Sequence, residues 1–557
     1  MKYLEIYNEW LASDNVDADT KTELNGIKED DKAIEDRFYK NLEFGTGGLR
    51  GVIGAGTNRM NIYTVRHATQ GVADYVKSCG EKAVNKGFVI AYDTRHKSDV
   101  FAKEAANILV NNGIKTYLFD RPVPTPELSF SVRELGAFGG IVITASHNPA
   151  EYNGYKVYDE NGCQITVEAA DIIYSVMQKN EILGIECCDM TDKIVYVGDE
   201  VESKYLDAVY SQALNVNEIK SFASDYKVVY TPLHGTGRVP VERILNRVGV
   251  TVVPVKEQYM PDPDFSTVKS PNPEEKDGLA MAIALAEKEG ASLVVATDPD
   301  SDRLGVVIKN KEDEFVPLTG NQVGILLLNY IINYKKGVEN PAIVKTIVTT
   351  PMADVIAESE NIKVYNVLTG FKFIGEKIFE FEQNKNNTYL FGFEESCGYL
   401  SGTYARDKDA VVAAMLISEM YAFYKGVLNK TLYQVLEELY EKYGYFKESL
   451  TSITIKGKEG LEKITEIMSV MRKDCTKEIA GFSVNNVVDY LEFEKTGLPK
   501  SNVLSFELTD GRKFIIRPSG TEPKIKIYFF VKGENHNQSS DLMNELVDKV
   551  KEYINQI

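Results

Sequence analysis

A chain of 557 residues is too long for one hydrophobic core and should divide into roughly three to four domains with clefts between them. Hydrophobic residues make up 43% and charged residues 26%, the balance of a globular protein and not of a disordered or fibrous one. The formal net charge of -19 argues against nucleic acid or an anionic membrane as the main partner, yet leaves room for a small anion met by local basic residues.

Six cysteines without CxxC spacing indicate neither a zinc site nor a disulfide framework. The N-terminus, MKYLEIYNEWLASDN, carries acids where a signal peptide needs an apolar core, and no run approaches the roughly 18 apolar residues of a membrane span. The expectation is a cytoplasmic protein with reduced thiols.

Residues 1–40 read as a helical extension of two amphipathic segments, the first built on Tyr3, Leu4, Ile6, Tyr7, Trp10 and Leu11. Next comes Phe44-Gly45-Thr46-Gly47-Gly48-Leu49-Arg50-Gly51, which matches neither the Walker pattern nor GxGxxG. It is either a tight turn with a surface arginine or a loop presenting Arg50 to phosphate.

From Val65 onward helices alternate with β-branched strands, the pattern of an α/β sheet. Strands are predicted at 87–92, 115–119 and 140–143, with helices at 65–78, 100–111 and 127–135 between and around them. The strand Gly140-Ile141-Val142-Ile143 ends in Thr144-Ala145-Ser146-His147-Asn148-Pro149, so a buried strand delivers a serine and a histidine to a stiffened turn. Such a hexapeptide is a nucleophile or phosphate carrier, or simply a hydrogen-bonded corner. In an α/β fold the C-terminal end of a strand is where ligands bind.

The pattern restarts at Lys227 with strands at 227–230, 251–254 and 292–297, and again at Phe315, with strands at 342–346 and 388–391. These rounds suggest three α/β units without residue-level repetition. The second ends in Asp298-Pro299-Asp300-Ser301-Asp302-Arg303. Three carboxylates at alternate positions past a buried strand repel one another unless solvated or bound to a cation, and Mg²⁺ takes such oxygen ligands. An EF-hand is excluded because its sixth and twelfth positions are Arg303 and Lys309 here. The third round ends in Gly392-Phe393-Glu394-Glu395-Ser396-Cys397-Gly398, a loop suited to reading sugar hydroxyls or a plain surface turn.

Beyond about residue 440 the alternation becomes that of half-buried antiparallel strands, followed by a helix from Ser540. The loop Arg517-Pro518-Ser519-Gly520-Thr521-Glu522-Pro523-Lys524 joins a cation, two hydroxyls and a glycine, the inventory of a phosphate nest. The expected division is thus an extension at 1–40 and units at 41–205 (the serine), 206–313 (the metal loop), 314–435 (the sugar loops) and 436–557 (the phosphate loop).

TASHNP, DPDSDR, GFEES and RPSGTEP, in this order, closely resemble the α-D-phosphohexomutase superfamily. TASHNPAEYNGYKVY and the length are similar to its phosphoglucomutase/phosphopentomutase branch. The resemblance implies an α/β fold of four domains around a central cleft, three of mixed α/β sheets and a smaller α+β fourth with an antiparallel sheet. It implies a phosphorylated Ser146, with Mg²⁺ on Ser146, Asp298, Asp300 and Asp302, and Arg303 supporting the phosphate. His147 and Lys156 become candidates for proton transfer, the lysine only where burial or nearby cations favour its neutral form. Thr369 and Gly370 would distinguish sugar orientations, and Glu394 and Ser396 would read hydroxyls. Arg517, Ser519, Gly520 and Thr521 would hold the non-reacting phosphate, with Arg50 at the entry.

The implied reaction interconverts glucose 1-phosphate and glucose 6-phosphate, with glucose 1,6-bisphosphate as intermediate and activator. Its partners are small sugar phosphates, and the enzyme is a monomer or dimer. Tyr152, Asn153 and Tyr155 could crowd the sugar pocket, which keeps a pentose 1-/5-phosphate mutase, and less so a phosphomannomutase, in play. A metal-dependent phosphohydrolase and a non-catalytic sensor are the readings from other classes.

Overall fold

Apolar β-branched runs and amphipathic helices assemble into four sheets in the computed structural model, which describes residues 2–45, 47–454, 458–475, 477–519 and 524–557. Thr46, Gly520 and Thr521 therefore lie outside the described residues. The first sheet comprises β1 (Leu49–Val52), β2 (Phe88–Tyr92), β3 (Thr116–Phe119), β4 (Gly139–Ile143), β5 (Tyr152–Tyr158) and β6 (Val195–Val197), in the order β1-β5-β4-β2-β3-β6. The second comprises β7 (Lys227–Thr231), β8 (Thr251–Pro254), β9 (Leu293–Thr297), β10 (Leu304–Lys309) and β11 (Phe315–Leu318), in the order β11-β10-β9-β7-β8. The third is β13-β12-β14-β15, from β12 (Pro341–Thr346), β13 (Lys363–Val367), β14 (Thr388–Glu394) and β15 (Gly398–Ser401).

One topology underlies all three sheets. Strands β2, β3 and β4 are parallel and β5 returns antiparallel beside β4. The same four-strand arrangement recurs as β10-β9-β7-β8 and β15-β14-β12-β13. Each return from the third strand to the fourth is short, and each carries one chemical loop: Ser146 after β4, the aspartates after β9, and Glu394 to Ser396 at the end of β14. A non-glycine residue with left-handed backbone stands in each loop, at Ser146 (φ 52°), Ser301 (φ 55°) and Cys397 (φ 60°). The three rounds thus repeat as architecture, down to the strained position.

The fourth sheet, β16 (Tyr445–Thr454), β17 (Glu478–Ile479), β18 (Phe482–Asp489), β19 (Leu504–Leu508), β20 (Lys513–Pro518) and β21 (Lys524–Gly533), is antiparallel throughout, in the order β16-β21-β20-β19-β18-β17. The helix His536–Gln556 closes the chain and packs Met543, Leu546 and Val550 on this sheet's core.

Three corrections follow. The extension holds three helices (Lys2–Ala12, Ala18–Gly26, Asp31–Phe38) and not two, because Asp17 and Asp30 each cap a new start. Trp10 packs edge-on against Phe38 and Tyr63, which seats the extension on the first unit. Phe315–Leu318, expected to open the third round, pairs with β10 and closes the second sheet. Tyr152–Tyr158, three of whose residues were expected to crowd the sugar pocket, is a strand. Asn153 bonds His96 O and Ser98 Oγ, and Tyr155 lies in the core with its hydroxyl 3.0 Å from Thr69 Oγ1, so neither crowds a sugar pocket.

The helix Ala410–Gly426 is buried over nearly its whole length, in one core with residues of all three α/β units. Asp409 caps it, accepting from the backbone N–H of Val411 and Val412 and from the hydroxyls of Tyr205 and Tyr404. Among the described residues no helix is long and apolar enough to cross a membrane.

Candidate active site

The Ser146 loop is held from beneath by a buried guanidinium. Arg95 follows β2, and it donates to the carbonyls of Ser146, Asn148, Pro149 and Tyr152. Its Nε lies 3.3 Å from Asp93 Oδ2, with both side chains fully buried, and the guanidinium stacks 4.9 Å from the ring centre of Phe265 in the second unit. Four carbonyls on one rigid cation account for a serine that keeps φ positive. Ser146 Oγ donates to Asp298 Oδ2 at 2.9 Å and lies 3.2 Å from His147 Nδ1.

The metal loop is held to both neighbours. Thr125 N donates to Asp300 O from the first unit, and Leu304 N donates to Cys397 O in the third. Asp298, Asp300 and Asp302 are buried, with a carboxylate oxygen from each within 4.8 Å of the others. Burial and mutual repulsion push Asp298 and Asp302 above the usual carboxylate range. Asp300 is held below it: burial alone would raise it, but Lys156, 3.1 Å from its Oδ2, a hydrogen bond with Asp298 and the charge of Lys408 together overcome that. Asp300 Oδ1 and Asp302 Oδ1 are buried without a hydrogen-bond partner. Crowded carboxylates with unused lone pairs, beside a serine oxygen, form an all-oxygen donor set that fits a hard divalent cation.

Above this floor lies a cavity of about 820 Å³. Arg50 and His147 from the first unit, Arg303 from the second, Thr369, Gly370, Glu394 and Ser396 from the third, and Arg517 and Ser519 from the fourth all line it. Most of the described members of the expected set thus meet around one space, and Ser146, Lys156 and the aspartates are buried next to it, in contact with the lining residues His147, Arg303 and Lys408. Gly48 explains the glycine-rich loop: its φ is 75°, and a Cβ there would sit 1.7 Å from Tyr155 O. The loop lies flat on β5, and Arg50 pairs with Gly154.

Burial first, then the charges of Arg303 and Arg50, pull His147 down to about 2, so it stands as a neutral imidazole. Burial lifts Glu394 to about 7, with Glu395 adding to the shift and Lys408 opposing it. Glu394 Oε1 accepts from Gly370 N at 2.9 Å, which joins the Thr369-Gly370 loop to the Glu394 loop.

Several residues here are absent from the sequence expectation. Lys408 Nζ lies 3.0 Å from Asp302 Oδ2 and 3.1 Å from Asp407 Oδ1, and it lines the cavity. Its signal was the charged run Arg406-Asp407-Lys408-Asp409 set against a wholly apolar helix. Asp93 and Arg95 had a similar one, an acid and a base directly past a buried parallel strand. Gln164, Asn272 and Lys526 also line the cavity and carry no local pattern.

Comparison with known proteins agrees with this arrangement. Residues 41–183, 203–311 and 319–443 match the phosphoglucomutase/phosphomannomutase alpha/beta/alpha domains I, II and III, and 456–549 match the C-terminal domain of that family. The chain belongs to the phosphoglucomutase/phosphomannomutase family. Among curated members, it is 38% identical to a phosphoglucomutase of Staphylococcus saprophyticus over 555 residues, 96% of each chain. It is 37% identical to one of Staphylococcus aureus over 534 residues, covering 93% of this chain and 95% of the other. Two solved structures share the family fold. Parafusin, a phosphoglucomutase of Paramecium in its open form, aligns with TM-score 0.71 and 18% identity over 93% of this chain and 96% of its own. A putative phosphomannomutase of Thermus thermophilus aligns with TM-score 0.69 and 24% identity over 93% and 99%.

Proposed function

We propose that the chain is a phosphoglucomutase that interconverts glucose 1-phosphate and glucose 6-phosphate through phosphorylated Ser146 and glucose 1,6-bisphosphate. The observation that carries this reading is the meeting of four loops at one cavity: Glu394 and Arg517 line it, as do His147 and Arg303, and next to these two Ser146 Oγ lies 2.9 Å from Asp298.

The free hydroxyl of a bound sugar monophosphate attacks the phosphorus on Ser146. A new P–O bond forms, the bond to Ser146 Oγ breaks, and the hydroxyl proton passes to His147, 3.2 Å from Ser146 Oγ, or to Lys156, 3.1 Å from Asp300. Mg²⁺, held by Asp298, Asp300, Asp302 and the serine phosphate, would supply positive charge against the transferring oxygens. Arg303 adds to that charge from the cavity wall. The bisphosphate then turns over and returns its other phosphoryl group to Ser146. Arg517 and Ser519, with Gly520 and Thr521, hold whichever phosphate is not reacting, so they read charge and not sugar. The fourth unit closes over the intermediate and excludes water, which would otherwise hydrolyse it.

The reaction is tested by phosphorus NMR with Mg²⁺ and a trace of glucose 1,6-bisphosphate, offering equal glucose, mannose and ribose 1-phosphates. Fastest growth of the glucose 6-phosphate signal is expected. Preferential ribose 5-phosphate would make the chain a phosphopentomutase, and free phosphate alone would contradict any mutase.

A further inference from the structure

A second cavity, of about 520 Å³, opens between the third and fourth units and, among the described residues, shares only Phe530 with the first. The apolar cluster of Ile347, Val348, Tyr490, Ile515, Tyr528 and Phe530 separates them: Ile347 faces the second cavity and its neighbour Val348 the first. The volume is that of a small-molecule site. Nothing in the mutase reading uses this space.

Its lining is basic in a chain of net charge -19. Lys345 comes from β12, Arg512, Lys513 and Lys532 come from the fourth unit, and only Asp354 and Glu507 oppose them. Lys345 is spent on Asp354, 2.9 Å away, and Arg512 is spent on Asp510 and Glu545. The other two are less committed. The nearest carboxylate to Lys513, Glu507, is 3.9 Å away, and Lys532 rests over the Phe446 ring at 5.1 Å. Burial holds Lys513 below the usual lysine range, with Glu507 opposing the shift and Lys345 adding to it, a cost that an anion would relieve. Beside these ammonium groups the wall is apolar and aromatic: Ile347, Val355, Tyr490, Leu508 and Phe530.

We propose that this cavity is a second ligand site for a small phosphate-bearing molecule with an aromatic body, the chemistry of a nucleoside diphosphate. The phosphates meet Lys513 and Lys532, and the body lies against the wall of Tyr490 and Phe530. A ligand seated there touches both units and ties their relative position.

The test is calorimetric titration of the full-length protein with ADP, adenosine and inorganic pyrophosphate, in the presence of a chelator so that the aspartate loop offers no metal-bound phosphate site. ADP should bind, more tightly than adenosine or pyrophosphate. Lys513→Gln and Lys532→Gln, checked for an unchanged thermal midpoint, should each weaken ADP about tenfold or more, as loss of a charge-assisted contact does. Arg517→Ala, which alters the first cavity, should leave ADP binding unchanged. The proposal is overturned if ADP gives no heat, if pyrophosphate binds as tightly as ADP, or if Arg517→Ala abolishes binding that both lysine variants retain.

Discussion

Arg95 does its work through backbone: one guanidinium against four carbonyls sets the curvature of the Ser146 loop, and Asp93 keeps that guanidinium in place. Arg95→Ala leaves the buried Asp93 without its charge partner, and it should destabilise the fold by about 3–5 kcal/mol in urea unfolding. The loosened serine should lower kcat about a hundredfold with KM nearly unchanged, the pattern of misplaced chemistry and not of lost binding. Glu394 makes a pH prediction. Its carboxyl is raised to about 7, so it is protonated below that pH and accepts sugar hydroxyls fully only above it. In a profile of kcat/KM, activity should rise with pH through about 7, and Glu394→Gln should remove that limb and cost about tenfold at pH 8. A limb that persists in the glutamine variant belongs to another group.

The elements most readable in the sequence were those with a strong period and a clear cap. The helix Gly320–Tyr334 begins at its Thr319–Gln322 capping box, and β4 and β9 are uninterrupted apolar runs. The strands that escaped are the antiparallel returns. β5 carries Asn153-Gly154, a turn signal overridden by burial between β1 and β4, and β15 is only four residues long. These returns matter because they close the loops that hold the chemistry. The buried helix Ala410–Gly426 depends on its cap: Asp409→Ala strands two tyrosine hydroxyls and two backbone N–H groups, and it should cost about 3 kcal/mol, whereas Asp409→Asn recovers part of this. The aspartate loop gives a ligand-linked prediction. Mg²⁺ at about a hundred times its Kd should stabilise the protein by about 2.7 kcal/mol in thermal unfolding, and Asp300→Asn should remove most of that gain.

Across the whole molecule, four motifs separated by about 90 residues or more in sequence come together because one sheet topology is used three times and the fourth unit faces the opening. Motif chemistry named the serine, the aspartates and the sugar loop, since each lies in a short segment at the end of a predicted strand. It did not name Lys408 or Lys526, which join the cavity only once separate units meet, nor Arg95, whose carbonyl partners lie about fifty residues further along the same unit, nor the β11 pairing, which depends on which sheet has a free edge. The central claim is that Ser146 carries the transferred phosphoryl group, and mass spectrometry after brief incubation with glucose 1,6-bisphosphate and Mg²⁺ tests it most directly. The account predicts one added phosphoryl group on the peptide containing Ser146, discharged by glucose 1-phosphate or glucose 6-phosphate and absent in Ser146→Ala. A label on another residue, or one that these sugar phosphates do not remove, would contradict it.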